Sequence, residues 1–205
     1  MTNKSATQET ITIAPIETRR VQLLLVGDSP LICHAWSKKA KQQMLDKQMK
    51  KATKGKDAKD PERDFKESLY PLAGGSGYGF PAVGFKAAAV SACRFVDQIK
   101  MTQARGAFHV VGELVPILGS DPVMREDMVR IGNGVADIRY RGEFREWHAN
   151  PTIEFNSSFF SLEQIVNLFN QAGFGVGIGE WRPERDGQYG RFHVGAEDER
   201  KLLLG

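Results

Sequence analysis

The chain has 205 residues, 41% of them hydrophobic, with 28 Lys/Arg against 25 Asp/Glu and a formal charge of +3. That length supports one sizeable core, and the apolar fraction is ordinary for a globular protein. No apolar run approaches the roughly 20 residues that span a membrane, and the first ten residues are too polar for a signal peptide, so the expected setting is cytoplasmic with no membrane partner.

The charge is unevenly spread. Residues 37–70 hold eleven Lys/Arg and six Asp/Glu, a net of +5, which leaves the rest of the chain at −2. A polyanion would be drawn to that stretch. Cys33 and Cys93 lie far apart in apolar surroundings and read as free buried thiols.

In chain order, residues 1–19 read as an N-terminal arm, in which residues 10–16 alternate like an edge strand or a segment that pairs with a neighbour. Residues 20–205 read as one domain. Residues 20–27, RVQLLLVG, carry a clear signal for a central strand. Asp28, Ser29 and Pro30 break it, and LICHAW follows as a second extended piece. Ser37 is placed to cap a basic helix running to about Lys54, with Gly55 as its stop. Residues 55–70 are charged and read as a mobile loop, so 37–79 reads as an insertion that ends in the glycine-rich GGSGYGF. Residues 81–100 carry the strongest helical signal, with Phe85, Ala88, Ala89, Ala92, Val96 and Ile99 on one face.

Residues 107–118 read as a strand bent at Gly112. Residues 120–130 read as helical or irregular, and residues 135–140 and 144–148 as strands joined by Arg141, Gly142 and Glu143. Residues 120–150 thus form a second, hairpin-like insertion. Residues 151–155 continue as a strand. Ser161 and Gln164 form a capping box for a helix with Leu162, Ile165, Val166 and Phe169 inward, which Gly173 ends. Residues 191–194 are a last short strand. With the insertions set aside the order is β-α-β-β-α-β. It predicts an α+β, ferredoxin-like (RRM-like) antiparallel sheet with two helices on one face and the other face left for a partner.

Residues 173–194 are the most distinctive segment: six glycines, three arginines, Trp181 and Tyr189 in one loop before that last strand. Glycine admits a close backbone, arginine offers a planar fork of donors, and aromatic rings offer faces to bases. The GxGxxR at residues 177–182 follows a helix rather than a strand and is not a dinucleotide site. His34, His109, His148 and His193 lack metal-ligand spacing, so neither metal nor cofactor is expected. Trp36 and Trp147 read as core or subunit contacts.

Two segments together resemble the RAMP superfamily, which includes the repeating backbone subunits of CRISPR effector complexes. Residues 80–92, FPAVGFKAAAVSA, are similar to its first-helix signature through Phe80, Pro81, Phe85 and Lys86. Ala82, Gly84 and Ala87 stand where the family prefers Gly, Ser and Gly, and Val90 where a basic residue is common. Residues 177–192 are similar to its glycine-rich loop, although the ending Gly187-Gln188-Tyr189-Gly190-Arg191 is one residue longer. The resemblance implies single-stranded RNA binding, without catalysis, by copies of the chain arrayed along a guide, with other effector subunits as further partners. Candidate contacts are Lys86, Arg182, Arg185 and Arg191 on phosphates, and Trp181, Tyr189 or Phe80 on bases. Gly175, Gly177, Gly179, Gly187 and Gly190 let the backbone approach, and Lys38 and Lys39 open the basic run. By analogy the hairpin is a thumb against a neighbour. Three other readings stay open: a phage or stand-alone single-strand binder, a ribonuclease using His34 or one of Asp57, Asp60 and Asp64, and a virion structural or assembly protein.

Overall fold

Leu23, Leu24 and Leu25 are all buried. A regular strand with one covered face does not allow this, because successive side chains point to opposite sides. The chain breaks there instead. The computed structural model describes residues 14–51, 58–131 and 134–204. Its first half contains β1 (Thr18–Gln22), β2 (Leu25–Gly27), β3 (Leu31–Cys33), α1 (Lys38–Gln48), α2 (Pro61–Glu67), β4 (Tyr70–Pro71), β5 (Tyr78–Pro81) and α3 (Ala82–Ala92). Next come α4 (Met101–Ala107), β6 (Phe108–Val110), β7 (Leu114–Gly119), β8 (Val123–Ile131) and β9 (Val135–Phe144). The chain closes with β10 (Trp147–Ala149), β11 (Thr152–Asn156), α5 (Leu162–Gly175), β12 (Phe192–Val194) and α6 (Glu197–Leu204).

Three strands are interrupted side by side. β1 and β2 break at Leu23–Leu24, β10 and β11 at Asn150–Pro151, and β6 and β7 around Gly112, whose φ is +95°. Hydrogen bonds from Leu23 N to Pro151 O (3.1 Å) and from Val111 N to Thr152 O (2.9 Å) carry the pairing across the break. The ladders β1-β11-β6 and β12-β2-β10-β7 are therefore two halves of one bent antiparallel sheet. Counted as whole strands the order is fourth, first, third, second, with β5 and β4 added at the far edge. Each neighbouring pair is antiparallel. This is the α+β, ferredoxin-like arrangement that the element order predicts.

α3 and α5 cover one face and pack on each other. Phe85, Ala88, Ala89 and Ala92 face Ile165, Leu168, Phe169 and Ala172 across a core that includes Leu25, Phe108, Ile153 and Phe192. Edge-on ring contacts link Tyr70, Phe80, Phe85, Phe192 and Trp147 in sequence, with centroids 5.7–6.3 Å apart. Phe80, proposed by the resemblance for base stacking, thus belongs to the core and is 8% exposed. Cys33 and Cys93 are free and buried, as expected.

Several expectations need correction. The helix expected over 81–100 ends at Ala92, and a 3-10 turn separates it from α4. Residues 120–130 are not helical but form β8, which pairs along its length with β9. Arg141, Gly142 and Glu143 are not a turn: they lie within β9, opposite β3 and β8. Gly142 leaves room there for the buried Leu69 side chain, which a Cβ would approach to 2.2 Å and displace. The hairpin insertion ends before Trp147, which is in the main sheet. Within the expected mobile loop, residues 61–67 are helical. Asp60 caps them by accepting from Arg63 N at 3.1 Å, and Pro61 occupies the first helical position. Asp57 and the expected stop Gly55 lie outside the described residues. Ser37 caps α1 as expected, but the helix ends at Gln48. Residues 1–13 lie outside the described residues, residues 14–17 are not strand, and β1 starts at Thr18, inside the expected arm.

α5 has both bonds of the expected capping box: Gln164 N to Ser161 Oγ at 3.1 Å and Ser161 N to Gln164 Oε1 at 2.8 Å. Gly173 does not end it. It sits inside the helix, where a Cβ would stand 1.7 Å from Phe192 O, and Gly177 at φ +69° provides the left-handed stop. α6 has no sequence expectation. It buries no residue and is tied on by polar groups. His193 Nδ1 lies 2.7 Å from Asp28 Oδ1, and its Nε2 lies 3.2 Å from both Glu199 oxygens. Arg200 donates to Gln22 O at 3.1 Å.

Two predictions follow from this packing. Gly173→Ala should cost about 3 kcal/mol or more in a denaturant titration, because helix and strand must separate to admit a methyl group. The second concerns His193. Burial lowers its pKa, but Asp28 and Glu199 more than offset this, and the net value lies above the ordinary 6.5. A raised histidine stabilises fully below its unfolded value and loses that contribution as pH rises through the folded value. Thermal unfolding of the parent minus that of His193→Gln should therefore be largest just below pH 6.5 and shrink as pH rises through the raised folded value.

Candidate nucleic-acid interface

The glycine-rich loop leaves α5 at Val176 and returns through β12. Main-chain bonds hold it to the segment after β2: Asp28 N to Arg191 O (2.9 Å), Gly190 N to Pro30 O (2.8 Å) and Glu180 N to Ile32 O (3.0 Å). Inside the loop, Ile178 N donates to Gly190 O and Tyr189 N to Trp181 O, at 2.9 and 3.0 Å. At Gly190, with φ +63°, a Cβ would stand 1.8 Å from Ile178 O, so only glycine closes this turn. Ile178 is thereby buried, whereas Trp181 turns outward, 40% exposed and itself at φ +54°. Such a backbone is uncommon for a bulky residue and is maintained here by its surroundings.

The candidate residues fall in different places. Arg182 is bonded within the loop, to Glu184 Oε2 at 3.1 and 3.3 Å and to Gly179 O at 3.1 Å. Arg185 is exposed on the 3-10 turn. Arg191 is half-buried, and its Nε has no hydrogen-bond partner among the described residues. The Tyr189 ring lies under the Arg125 guanidinium at 4.7 Å. Gly175 is the last residue of α5, and Gly187 lies against Trp181 O. Lys86 lies on the other flank of α3 from this loop, its Nζ 3.1 Å from His109 Nδ1. Gly84, Ala87, Ala88 and Ser91 of α3 face the loop across a shared cleft. Lys38 and Lys39 begin α1, but their side chains lie outside the described residues.

The structure adds a charged seam that the sequence reading did not assemble. On the inward face of the hairpin, Asp127 accepts from Arg125 Nε at 2.8 Å and from Arg141 Nη1 at 3.1 Å. Arg141, only 6% exposed, also approaches Glu180 Oε2 at 3.6 Å and His34 Nδ1 at 3.5 Å. His34 Nδ1 is 3.5 Å from Glu180 Oε1. β3, the hairpin and the loop thus meet at His34 and Glu180. His34, then Arg141 and Arg182, hold the Glu180 carboxyl below its ordinary value of 4.5, against its partial burial. The signal for the seam was the alternation of Arg125 and Asp127 two residues apart, which fits one face of a strand.

Two clefts meet at His34. One, of about 230 Å³, lies between α3 and the loop and includes Tyr70, Ala87, Glu180 and Arg182. The other, of about 670 Å³, lies between α1, α2 and β9 and includes Trp36, Lys59, Arg63, Arg139 and Tyr140. Trp36, expected in the core or against another subunit, is 57% exposed with Lys41 Nζ 5.6 Å over its ring. Trp147 is in the core, as expected, and its Nε1 donates to Ser29 O at 2.9 Å. Among the described residues no helix is long and apolar enough to cross a membrane.

No protein-family model matches this chain, and no curated protein matches it. Among solved structures it is similar to Cmr6 from Pyrococcus furiosus, with a TM-score of 0.48 and 8% identity over 88% of this chain and 100% of that one. The fold assignment rests on the strand order and packing described above.

The seam predicts a stability effect. Asp127→Ala leaves the buried Arg141 cation without its carboxylate and should cost about 3–5 kcal/mol in a denaturant titration. Adding Arg141→Met should recover part of the loss.

Proposed function

We propose that this chain is a non-catalytic single-strand-binding protein of RAMP type, whose copies line up along a guide RNA. One observation carries the reading. Two clefts share His34 in their walls, one beside the glycine-rich loop and one beside the basic helix α1, and two tryptophans are exposed, Trp181 on the loop and Trp36 in the wall of the second cleft. Large aromatic surfaces left in water beside lysines suit stacked bases and a phosphate backbone. Lys41 over Trp36, and Lys47, Lys50 and Lys51 exposed on and just after α1, supply the cations on that side. Arg185 and Arg191 supply them on the loop side. The likeness of residues 80–92 and 177–192 to RAMP signatures favours RNA as the strand.

Fluorescence anisotropy with labelled oligouridylates tests this. Binding should weaken steeply with salt, and Lys41→Ala should reduce the salt slope by about 0.7. Trp36→Ala should weaken binding about tenfold. Protein that purifies free of nucleic acid and shows no salt-sensitive binding to single strands would overturn the reading.

A further inference from the structure

The smaller cleft has the size and polarity of a site for a single base. At about 230 Å³ it falls below the roughly 300–1,000 Å³ of sites for drug-sized ligands. Phe80, Ala88, Val176 and Ile178 line it with apolar surface, and His34, Glu180 and Arg182 give it a polar side. Its two carboxylates differ. Glu184 is already engaged, by Arg94 at 2.9 Å and by Arg182 at 3.1 Å. Glu180 is held more loosely: His34 and Arg141, its nearest cationic partners, stand at 3.5 and 3.6 Å, longer than a good hydrogen bond. An acceptor pair with room for two donors therefore faces an apolar slot, with donors of His34 and Arg182 beside it.

Among the common bases only guanine presents two adjacent donors, N1–H and the N2 amine, next to an acceptor, O6. Adenine and cytosine offer one donor on that edge, and uracil places its single donor between two acceptors. Unstacked bases are commonly read on this edge. We infer that the cleft between α3 and the glycine-rich loop takes one unstacked guanine of the bound strand, with the Glu180 carboxylate accepting from N1–H and N2–H and Arg182 or His34 donating to O6. The inference rests on the single-strand reading above and adds a base preference to otherwise sequence-tolerant binding.

The test compares oligouridylate with the same oligomer carrying one guanosine or one inosine, which lacks the N2 amine. The guanosine oligomer should bind about tenfold tighter than plain oligouridylate, and inosine should lose most of that gain. Glu180→Gln should bring the guanosine-to-uridine ratio near one. Ala87→Phe, which fills the cleft from the α3 side and leaves the loop sequence unchanged, should do the same and serves if Glu180→Gln disturbs the loop. Equal binding of the guanosine and plain oligomers overturns the inference and leaves the single-strand reading standing. If no oligomer binds, the single-strand reading fails, and a guanosine titration followed by amide NMR decides the cleft. Shifts at Gly177 and Glu180 would support the guanine site, and their absence would overturn it.

Discussion

The glycine-rich loop lies main chain to main chain against the segment that leaves the first strand, and the rest of the site depends on that contact. Three backbone hydrogen bonds at 2.8–3.0 Å join Asp28, Pro30 and Ile32 to Arg191, Gly190 and Glu180. Buried backbone groups must find partners, and these satisfy one another at a separation that a side chain at Gly179 would prevent, since its Cβ would stand 2.5 Å from Ile32 O. Once the contact forms, Ile178 enters the core, Trp181 is forced outward, and Glu180 is set beside His34. The smaller cleft takes one wall from this arrangement.

The seam of Arg125, Asp127, Arg141 and Glu180 serves a different purpose. Buried ion pairs seldom stabilise more than apolar packing of the same volume would. Their contribution here is positional, because Arg141 touches groups from the hairpin, from the end of β3 and from the loop. Ser68 adds a second tie, accepting from Gly142 N at 2.8 Å and donating to Phe65 O at 2.6 Å, so the end of α2 is attached to the same strand. The larger cleft is enclosed by the elements these contacts hold together.

Much of the fold was legible in local pattern. The α5 capping box, the apolar face of α3 through Ala92, the Ser37 cap and the last strand all match, because each depends on residues within one or two turns of one another. Where the reading failed, a distant partner decided. Residues 120–130 were ambiguous alone, and only pairing with β9 makes them a strand. Residues 20–27 read as a single strand, yet it breaks at Leu23–Leu24 beside Pro151, whereas the bend of 107–118 at Gly112 was legible. The helix α2 was legible in principle through Asp60 and Pro61, but the surrounding charges outweighed that short signal.

The sequence by itself determined the order of the core elements, the two buried thiols and the place of the glycine-rich loop before the last strand. Spacing and side-chain size carry that information locally. Only the tertiary structure decided that Lys86 and the loop lie on opposite flanks of α3, that Arg182 is bonded within its own loop, and that the clefts beside the loop and beside α1 share His34. The meeting of β3, the hairpin and the loop depends on contacts between residues more than a hundred positions apart, such as His34 with Arg141. No pattern along a short stretch of chain encodes which distant backbone will satisfy a given hydrogen bond.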